Sequence, residues 1–277
     1  MNEPSARRLL LDRGTLLLDA AMGTRLIARG LDLRDDDPCA WNLSRPDDVL
    51  DIHRRDVAAG SDVLLTNTFG ANRAWLERLG LADRFVAINR AAVALARQAA
   101  GPDRLVFGGL GPTSVSSPDL GACRDQAVTL AEAGVDGLIF ETMDLPAALV
   151  ALDVVAPIIR EGLPVVVSFW TWPDDADAAI KIENLGASAI GLNCVWPARK
   201  VVEMVRTLVG STRLPVWVKP SGAMPGQRPA TPEELARVAV ELSNLGARFV
   251  GGCCGTTEVH LAAMRRALDS GVAPIQA

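Results

Sequence analysis

The sequence predicts an α/β fold, a single (β/α)8 TIM barrel that spans residues 1–277 as one domain. Its 277 residues, 49% of them hydrophobic, are enough to bury one large core. Short apolar runs alternate with amphipathic segments along the chain, which is typical of repeated βα units around a parallel sheet. At four places a glycine also precedes a polar or sulfur-containing residue by seven positions, and this regularity indicates a repeated unit.

Eight runs rich in apolar and β-branched residues are predicted as strands, and the segments between them have the periodicity of amphipathic helices. Several helices begin with proline or with Ser, Thr or Asp, which favour a helix start. The predicted strands are Leu16–Asp19, Val63–Thr68, Leu105–Gly109, Gly137–Glu141, Val165–Trp170, Ala189–Asn193, Val216–Lys219 and Phe249–Gly252. The clearest helical patterns cover Asp47–Ala59, Arg84–Ala99, Asp144–Arg160, Arg199–Leu208, Pro232–Leu245 and Glu258–Leu268.

The seven-residue regularity predicts where reactive side chains lie. A glycine just past a helix supplies a left-handed cap, and seven residues correspond to a short loop and one strand. The residue that follows is therefore expected at the C-terminal end of its strand, which is the end where barrels build their sites. The four pairs are Gly60 with Asn67, Gly134 with Glu141, Gly186 with Asn193, and Gly246 with Cys253.

The composition favours a cytoplasmic protein that acts on a small molecule. A net charge of −5 and a pI near 5.2 argue against nucleic acid or an anionic membrane as partner, since both require a basic surface. The chain shows no signal-peptide pattern at its start and no apolar run of about 20 residues that could span a membrane. Its five cysteines do not form a disulfide-like framework, so we expect ligands, nucleophiles or buried residues.

Three of these cysteines are candidate metal ligands. Cys253 and Cys254 follow the last strand among glycines that permit a turn, and Cys194 follows the sixth strand. Thiolates select zinc, copper(I) or iron–sulfur clusters, and three ligands leave tetrahedral zinc one open position. The spacing alone leaves an alternative open, in which Cys194 is a buried apolar residue and the vicinal pair is incidental or redox-active.

Other polar groups are expected at the same mouth. Asp19 ends the first strand before the turn Ala20–Thr24, whose N–H groups could hold a carboxylate, and Glu141 could bind an ammonium group. A rival interpretation of the last loop is a phosphate site at Thr256 and Thr257. His53 and His260 are expected to be structural, and Cys39 and Cys123 receive no role. The cluster Arg34–Pro38 is interpreted as a solvated loop, and Trp170, Trp172 and Trp196 as a lid that excludes water.

Six motifs in order resemble the homocysteine S-methyltransferase family, which includes the homocysteine-binding domain of cobalamin-dependent methionine synthase and betaine–homocysteine methyltransferase. The resemblance extends from about Leu16 to Leu268, and the combination of a separate cysteine with Gly-Gly-Cys-Cys is its most specific part. The motifs are Asp19-Ala-Ala-Met-Gly-Thr24, Thr66-Asn-Thr-Phe-Gly-Ala-Asn-Arg73, Gly111-Pro-Thr113, Phe140-Glu-Thr142, Gly191-Leu-Asn-Cys194 and Gly251-Gly-Cys-Cys-Gly-Thr-Thr257.

The resemblance implies a zinc-dependent enzyme that methylates L-homocysteine to give methionine, with the substrate sulfur completing the metal site. It implies zinc on Cys194, Cys253 and Cys254, and a substrate site that holds the amino group at Asp19 and Glu141. The implied carboxylate site is the turn with Ala21, Met22, Gly23 and Thr24, and Asn67 belongs to the same substrate set.

The methyl donor is expected to be either a methyl-corrinoid protein or a small onium compound. If methylcobalamin is the donor, a separate protein is expected to bring it. Betaine is disfavoured because Met143 and Gly70 stand where the betaine enzyme has tyrosines, although Trp41 matches its donor-binding tryptophan. The alternatives to this function are a phosphate-binding barrel lyase or isomerase with incidental cysteines, and a non-catalytic zinc or thiol sensor.

Overall fold

The computed structural model describes residues 14–113, 119–224 and 226–271, and eight parallel strands in this part of the chain form a barrel. Neighbouring strands pair in sequence order, the last pairs with the first, and a bridge from Leu18 to Val63 joins the first two. This confirms the predicted (β/α)8 TIM barrel. The strands are β1 (Leu16–Leu17), β2 (Val63–Leu65), β3 (Leu105–Leu110), β4 (Gly137–Met143), β5 (Val165–Phe169), β6 (Ala189–Asn193), β7 (Val216–Lys219) and β8 (Ala247–Val250).

Helices surround the barrel and connect its strands. Asp47 and Asp48 lie in the first turn of the helix that contains His53. The positive end of the helix dipole stabilises their negative charges there. In the described residues the helices are α1 (Met22–Ala28), α2 (Trp41–Ser44), α3 (Pro46–Ala58), α4 (Arg73–Arg78), α5 (Phe85–Ala100), α6 (Leu120–Glu132), α7 (Leu145–Val154), α8 (Ala156–Arg160), α9 (Ala178–Asn184), α10 (Ala198–Ser211), α11 (Pro232–Asn244) and α12 (Glu258–Ser270), with 3-10 turns at Pro38–Ala40 and Ala82–Arg84.

The glycine regularity is confirmed by the backbone. The four glycines that precede β2, β4, β6 and β8 all have the left-handed φ that a helix-ending turn requires, with values of 99°, 90°, 87° and 105° along the chain. Of the residues seven positions later, Asn193 ends its strand, Asn67 and Cys253 lie just beyond theirs, and Glu141 lies in the last residues of β4. The repeated unit therefore sets the height at which side chains reach the barrel mouth.

Several expected elements differ in their bounds, by one to three residues for the strands. The strands β1 and β2 end earlier than predicted, because Asp19 leaves the sheet pattern and accepts a hydrogen bond from the N–H of Leu65 at 2.8 Å. The segment predicted as one helix over Asp144–Arg160 is two helices that meet at Val155. Pro157 explains the break, since it has no N–H for the i→i−4 bond of a continuous helix.

The inside of the barrel is filled by large apolar side chains. Trp217 packs between Phe107 and Phe249 with ring centroids 5.5 and 4.9 Å away, and all three are fully buried. The neighbouring strand makes room at Gly191, where a Cβ would lie 1.9 Å from the carbonyl oxygen of Trp217. This packing closes the barrel below the mouth, so a ligand can enter only the upper part. No helix in the described residues has the length and apolar character needed to cross a membrane.

Candidate metal and substrate site

A cavity of about 300 Å³ opens at the C-terminal ends of the strands. The residues that line it come from both ends of the sequence and from the polar residues at several strand ends. The barrel therefore brings together groups that are far apart in the chain. All ten residues predicted for the site lie on this cavity, namely Asp19, Ala21, Met22, Gly23, Thr24, Asn67, Glu141, Cys194, Cys253 and Cys254.

The three predicted cysteines converge at one side of this cavity. The sulfur atoms of Cys194, Cys253 and Cys254 all lie within 4.8 Å of one another, and the Sγ atoms of Cys194 and Cys254 are 3.7 Å apart. Tetrahedral metal–thiolate bonds of about 2.3 Å would place sulfurs about 3.8 Å apart, so the spacing fits a single ion. Thiolates select soft or borderline metals, and the cluster fits such an ion rather than magnesium or calcium.

The backbone of Cys194 is held in an unusual conformation that helps form this cluster. Its φ is +59°, in the left-handed region that costs a non-glycine residue about 1 kcal/mol or more. The N–H of Cys194 donates to the carbonyl of Lys219, and the N–H of Cys253 donates to the carbonyl of Pro220. The β7 end therefore anchors both halves of the thiol cluster.

The proximity of the thiols changes their acidity. Hydrogen bonds from Cys194 and Cys253 lower the pKa of Cys254 to about 3, so one thiolate is stabilised by its two neighbours. The pKa of Cys253 is raised, because its hydrogen bonds to Cys194 and Cys254 favour the protonated thiol and burial adds to the effect. A cluster that already stabilises one negative charge would bind a cation by losing the two remaining thiol protons.

Threonine side chains join the cysteine loop to the first turn of the barrel. The hydroxyl of Thr256 donates to the carbonyl of Cys253 at 2.7 Å and accepts from the N–H of Ala21 at 3.2 Å. In return, the hydroxyl of Thr24 accepts from the N–H of Gly255 at 3.1 Å. The metal side and the substrate side of the cavity are therefore tied directly to each other.

These hydrogen bonds restrict how Ala21 and Thr24 could contact a ligand. The N–H of Ala21 already donates to Thr256, so it is not free to contact a ligand without a rearrangement. The hydroxyl of Thr24 accepts from Gly255 and keeps its own proton to donate. Met22 and Gly23 begin helix α1, and the first N–H groups of a helix have no partner within the helix, so these amides are further donors of the turn.

A buried ion pair supports the same turn from below. The guanidinium of Arg25 makes two hydrogen bonds with the carboxylate of Asp56, at 2.7 and 2.6 Å, and its Nε donates to the carbonyl of Ala21 at 2.8 Å. Both side chains are almost fully buried, and Glu258 lies 3.7 Å from the guanidinium. The sequence analysis missed Arg25, whose only signal is a charge inside an otherwise apolar first helix.

Glu141 extends a carboxylate into the cavity from β4. In the described part of the chain its side chain makes no hydrogen bond, and burial raises its pKa to about 7 despite the opposing effect of Lys219. The following residue, Thr142, has a left-handed φ of +59°, and its N–H donates to the side chain of Asn193. Asn193 also accepts from Ser168 at 2.7 Å, so it holds the β4 and β6 ends together.

Asn67 has mostly structural contacts. Its side-chain nitrogen donates to the carbonyl of Pro38 at 2.6 Å and to the side chain of Asn42 at 3.0 Å. The side chain of Asn42 returns a hydrogen bond to the backbone carbonyl of Asn67. Only the side-chain oxygen of Asn67 is left to face a ligand, so a substrate would meet an acceptor here.

The tryptophans do not form the expected lid over the described cavity, whose aromatic wall residue is Phe69. Trp41 is buried, and its indole N–H donates to Asp36 at 2.7 Å. Trp172 packs against Phe169, and Trp196 lines a groove between helices α10 and α11. Trp170 is exposed. Trp41 matches a donor-binding tryptophan in sequence, but in the structure it is buried and does not line the described cavity.

The acidic loop before Trp41 is also better ordered than expected. Asp36 and Asp37 are half-buried, and Asp37 accepts from the indole N–H of Trp75 at 2.9 Å and from the N–H of Cys39. Interpreting this cluster as a fully solvated loop was therefore wrong for these two residues. Their carboxylates fix the indoles beside the cavity entrance.

Both histidines have structural positions. His260 accepts from the N–H of Thr257 and caps helix α12. His53 is completely buried in α3, and neither of its ring nitrogens has a hydrogen-bond partner in the described residues. Burial lowers the pKa of His53 to about 4, although Asp19 favours its charged form and Arg25 disfavours it. The ring is therefore neutral in the folded protein at neutral pH.

His53 is expected to make the fold less stable in mild acid. Because its folded pKa of about 4 lies below the ordinary 6.5, the unfolded chain takes up a proton first as the pH falls. This contribution is complete above pH 6.5 and decreases as the pH falls toward 4. Relative to His53→Leu, the wild-type protein should lose about 2–3 kcal/mol of unfolding free energy between pH 7 and pH 4.5.

Urea unfolding of both proteins across this pH range measures the difference. The other titratable groups are common to both proteins, so their contributions largely cancel in the comparison. Parallel stability curves for the two proteins would show that burial does not lower the pKa of His53.

The fold and the cavity define a barrel protein with a cluster of three thiols at its mouth that could hold a metal ion. The sequence profile described as homocysteine S-methyltransferase matches residues 16–268, and the chain belongs to that family. It is therefore a methyltransferase by class. The phosphate-binding lyase or isomerase and the non-catalytic sensor, which were left open on the residues alone, are not supported.

The sequence similarity to known proteins covers most of this chain. It is 31% identical to methionine synthase of Mycobacterium tuberculosis over 91% of its length, and 32% identical to methionine synthase of Mycobacterium leprae over 88%. The chain spans about a quarter of the length of these relatives, 24% and 23%. The metallated form of the Escherichia coli homocysteine methyltransferase MmuM has a TM-score of 0.77 at 25% identity, covering 94% of this chain and 98% of that one.

Proposed function

We propose that this barrel is a homocysteine-binding domain that holds zinc on Cys194, Cys253 and Cys254 and methylates L-homocysteine to give methionine. The observation that carries the proposal is the convergence of three thiols on a cavity that also contains the unpartnered carboxylate of Glu141. Family membership and the likeness to a metallated homocysteine methyltransferase support it. We also infer a cytoplasmic location, because the cysteines in the described residues are free thiols.

The proposed reaction needs a nucleophilic sulfur and little acid–base chemistry. When bound, zinc would lower the pKa of the substrate thiol, so that a thiolate is available at neutral pH. The substrate sulfur then attacks the methyl carbon in line with the leaving group. A sulfur–carbon bond forms, the bond from carbon to the donor atom breaks, and its electron pair leaves with the donor. The protein does not need to supply a proton to this step.

The residues of the cavity would orient homocysteine through its amino-acid end. Glu141 offers a carboxylate to the ammonium group, and the free amides at the start of α1, at Met22 and Gly23, offer donors to the substrate carboxylate. The side-chain oxygen of Asn67 is a further acceptor beside them. Fixing the ammonium and carboxylate groups, which share one carbon, directs the side chain and its sulfur toward the cysteines, and such positioning lowers a reaction barrier.

Of the two donor classes, we favour a methyl-corrinoid. A small onium donor needs several aromatic faces around its positive charge. The described cavity has one aromatic wall residue, Phe69, and the nearby Trp172 and Trp196 side chains are packed elsewhere. A steep salt dependence of the rate would support a docking protein, whereas saturation by a small sulfonium or betaine-like compound would support an onium donor.

Zinc-edge X-ray absorption with and without L-homocysteine tests the proposed function. The zinc-loaded protein should show the three cysteine sulfurs and one light atom, and homocysteine should replace the light atom with a fourth sulfur. Methionine should then form when a methyl donor is added. Absence of zinc, or a sulfur count that homocysteine does not change, would contradict the proposal.

A further inference from the structure

Lys219 is a buried cation that lines the same cavity, and it has no role in the proposed function so far. It ends strand β7, it is only 4% exposed, and its Nζ lies 2.5 Å from Oδ1 of Asp19. The carboxylate of Asp19 forms a buried ion pair with it, which stabilises the charged form of the lysine. Lys219 is therefore an ammonium group fixed inside a site that is proposed to bind the ammonium group of a substrate.

Each oxygen of the Asp19 carboxylate already accepts a hydrogen bond from the protein itself. Its Oδ1 accepts from Lys219, and its Oδ2 accepts from the N–H of Leu65 at 2.8 Å. Asp19 is only 3% exposed, so it has little surface left for a ligand. Glu141, by contrast, has no hydrogen-bond partner in the described residues and faces the same cavity. The two carboxylates that were expected to share one role have different surroundings.

We infer that Lys219 is a positioning residue that withholds Asp19 from the substrate and leaves Glu141 as the carboxylate that binds its ammonium group. The inference rests on the proposed function, since it concerns how homocysteine is held. Lys219 neutralises one of the two carboxylates, and the other, Glu141, is left to pair with a single substrate ammonium. An unpaired second carboxylate would be costly at this depth, which gives the ion pair a physical reason.

The comparison of L-homocysteine with 4-mercaptobutanoate, which lacks only the amino group, tests this assignment. Binding of both compounds to the zinc-loaded protein is measured by calorimetry. The wild-type protein should prefer homocysteine by about 10–100-fold, as expected for a charge-assisted hydrogen bond. Glu141→Gln should reduce this preference to less than about threefold, because the only free carboxylate is gone.

Two further variants separate Lys219 and Asp19 from Glu141. The charge-balanced double variant D19N/K219M should keep a preference of about tenfold or more, because Glu141 is intact. In E141Q/K219M, Asp19 loses its partner and becomes available, so a preference for homocysteine should return. If Lys219 had only a structural role, its removal would not restore the preference for homocysteine. Zinc content and the cooperativity of unfolding are measured on each variant as controls.

Opposite results would overturn the inference. If D19N/K219M loses the preference as fully as E141Q does, Asp19 binds the ammonium directly. If E141Q/K219M does not regain it, Lys219 is not what withholds Asp19. A crystal structure of the wild-type complex decides the question even if a variant fails to fold. The substrate nitrogen should lie about 3 Å from Glu141 with the Lys219 to Asp19 bond intact, and a bond from that nitrogen to Asp19 would refute the inference.

Failure of the proposed function gives a different result. In that case the zinc-loaded wild-type protein would bind neither homocysteine nor 4-mercaptobutanoate through its sulfur, and all variants would behave alike. Such a result would overturn the inference together with the function. Normal homocysteine binding with the wrong variant pattern would overturn the inference alone.

Discussion

Cys254→Ser is expected to lose both the bound metal and the methyltransferase activity. Cys254 is the thiol whose pKa its neighbours lower to about 3, so it is the thiolate around which the cluster is organised. A serine hydroxyl is a poor ligand for zinc, and the remaining two cysteines cannot hold the ion with the same strength. We expect a loss of activity of at least about 1000-fold, which corresponds to about 4 kcal/mol.

Zinc content by mass spectrometry and methionine formation from homocysteine measure the two effects. Cys123→Ser is the matched control, because Cys123 is a buried thiol outside the cluster whose pKa burial raises to about 11. The control should keep one zinc per chain. A Cys254→Ser protein with full zinc content and more than about a tenth of the activity would show that the cluster is not the catalytic metal site.

The position of the site at the C-terminal ends of the strands could be predicted, because it follows from the local sequence pattern of each unit. A left-handed glycine precedes four of the strands, and a loop and strand segment of seven residues follows it each time, so Glu141 and Cys253 were expected at the same rim. The meeting of Cys194 with Cys253 followed from the fold, because strands β6 and β8 end above the same mouth. No short-range cysteine spacing indicated it.

The ion pair of Lys219 could not be predicted in the same way. The alternation of side chains in a strand assigns Lys219 to one face, but it does not say which distant carboxylate lies opposite. Asp19 is 200 positions away, and its partner depends on how β1 bends out of the sheet beside β2. The expectation that Asp19 and Glu141 act together came from motif matching, which identifies residues and not their contacts.

The tryptophan lid was wrong for a related reason. Trp172 and Trp196 follow strand ends, and the pattern alone could not separate a residue that faces the mouth from one that packs sideways. In the structure Trp172 contacts Phe169, and Trp196 lies in the groove between two outer helices. Loop direction beyond a strand depends on tertiary packing, so the rim of the site is the part of a barrel that sequence patterns predict least well.

Arg25→Met is expected to destabilise the protein strongly while leaving the metal ligands unchanged. The change removes both hydrogen bonds to Asp56, a fully buried carboxylate whose pKa burial already raises to about 6. An uncompensated buried charge costs about 3–5 kcal/mol. Urea unfolding at pH 7 measures the loss of unfolding free energy, and a loss below about 1 kcal/mol would show that solvent or protonation of Asp56 offsets the loss of the guanidinium.

The double variant R25M/D56L separates stability from function. Replacing both ions with apolar groups of similar size often costs little, so this protein should recover most of the stability that Arg25→Met loses. It should still bind homocysteine more weakly than the wild-type protein, because the carbonyl of Ala21 has lost the Nε donor of Arg25 that fixes the turn. If the double variant recovers both stability and affinity, the ion pair contributes only to folding. If it recovers stability alone, a buried charge pair below the site holds the substrate turn in place.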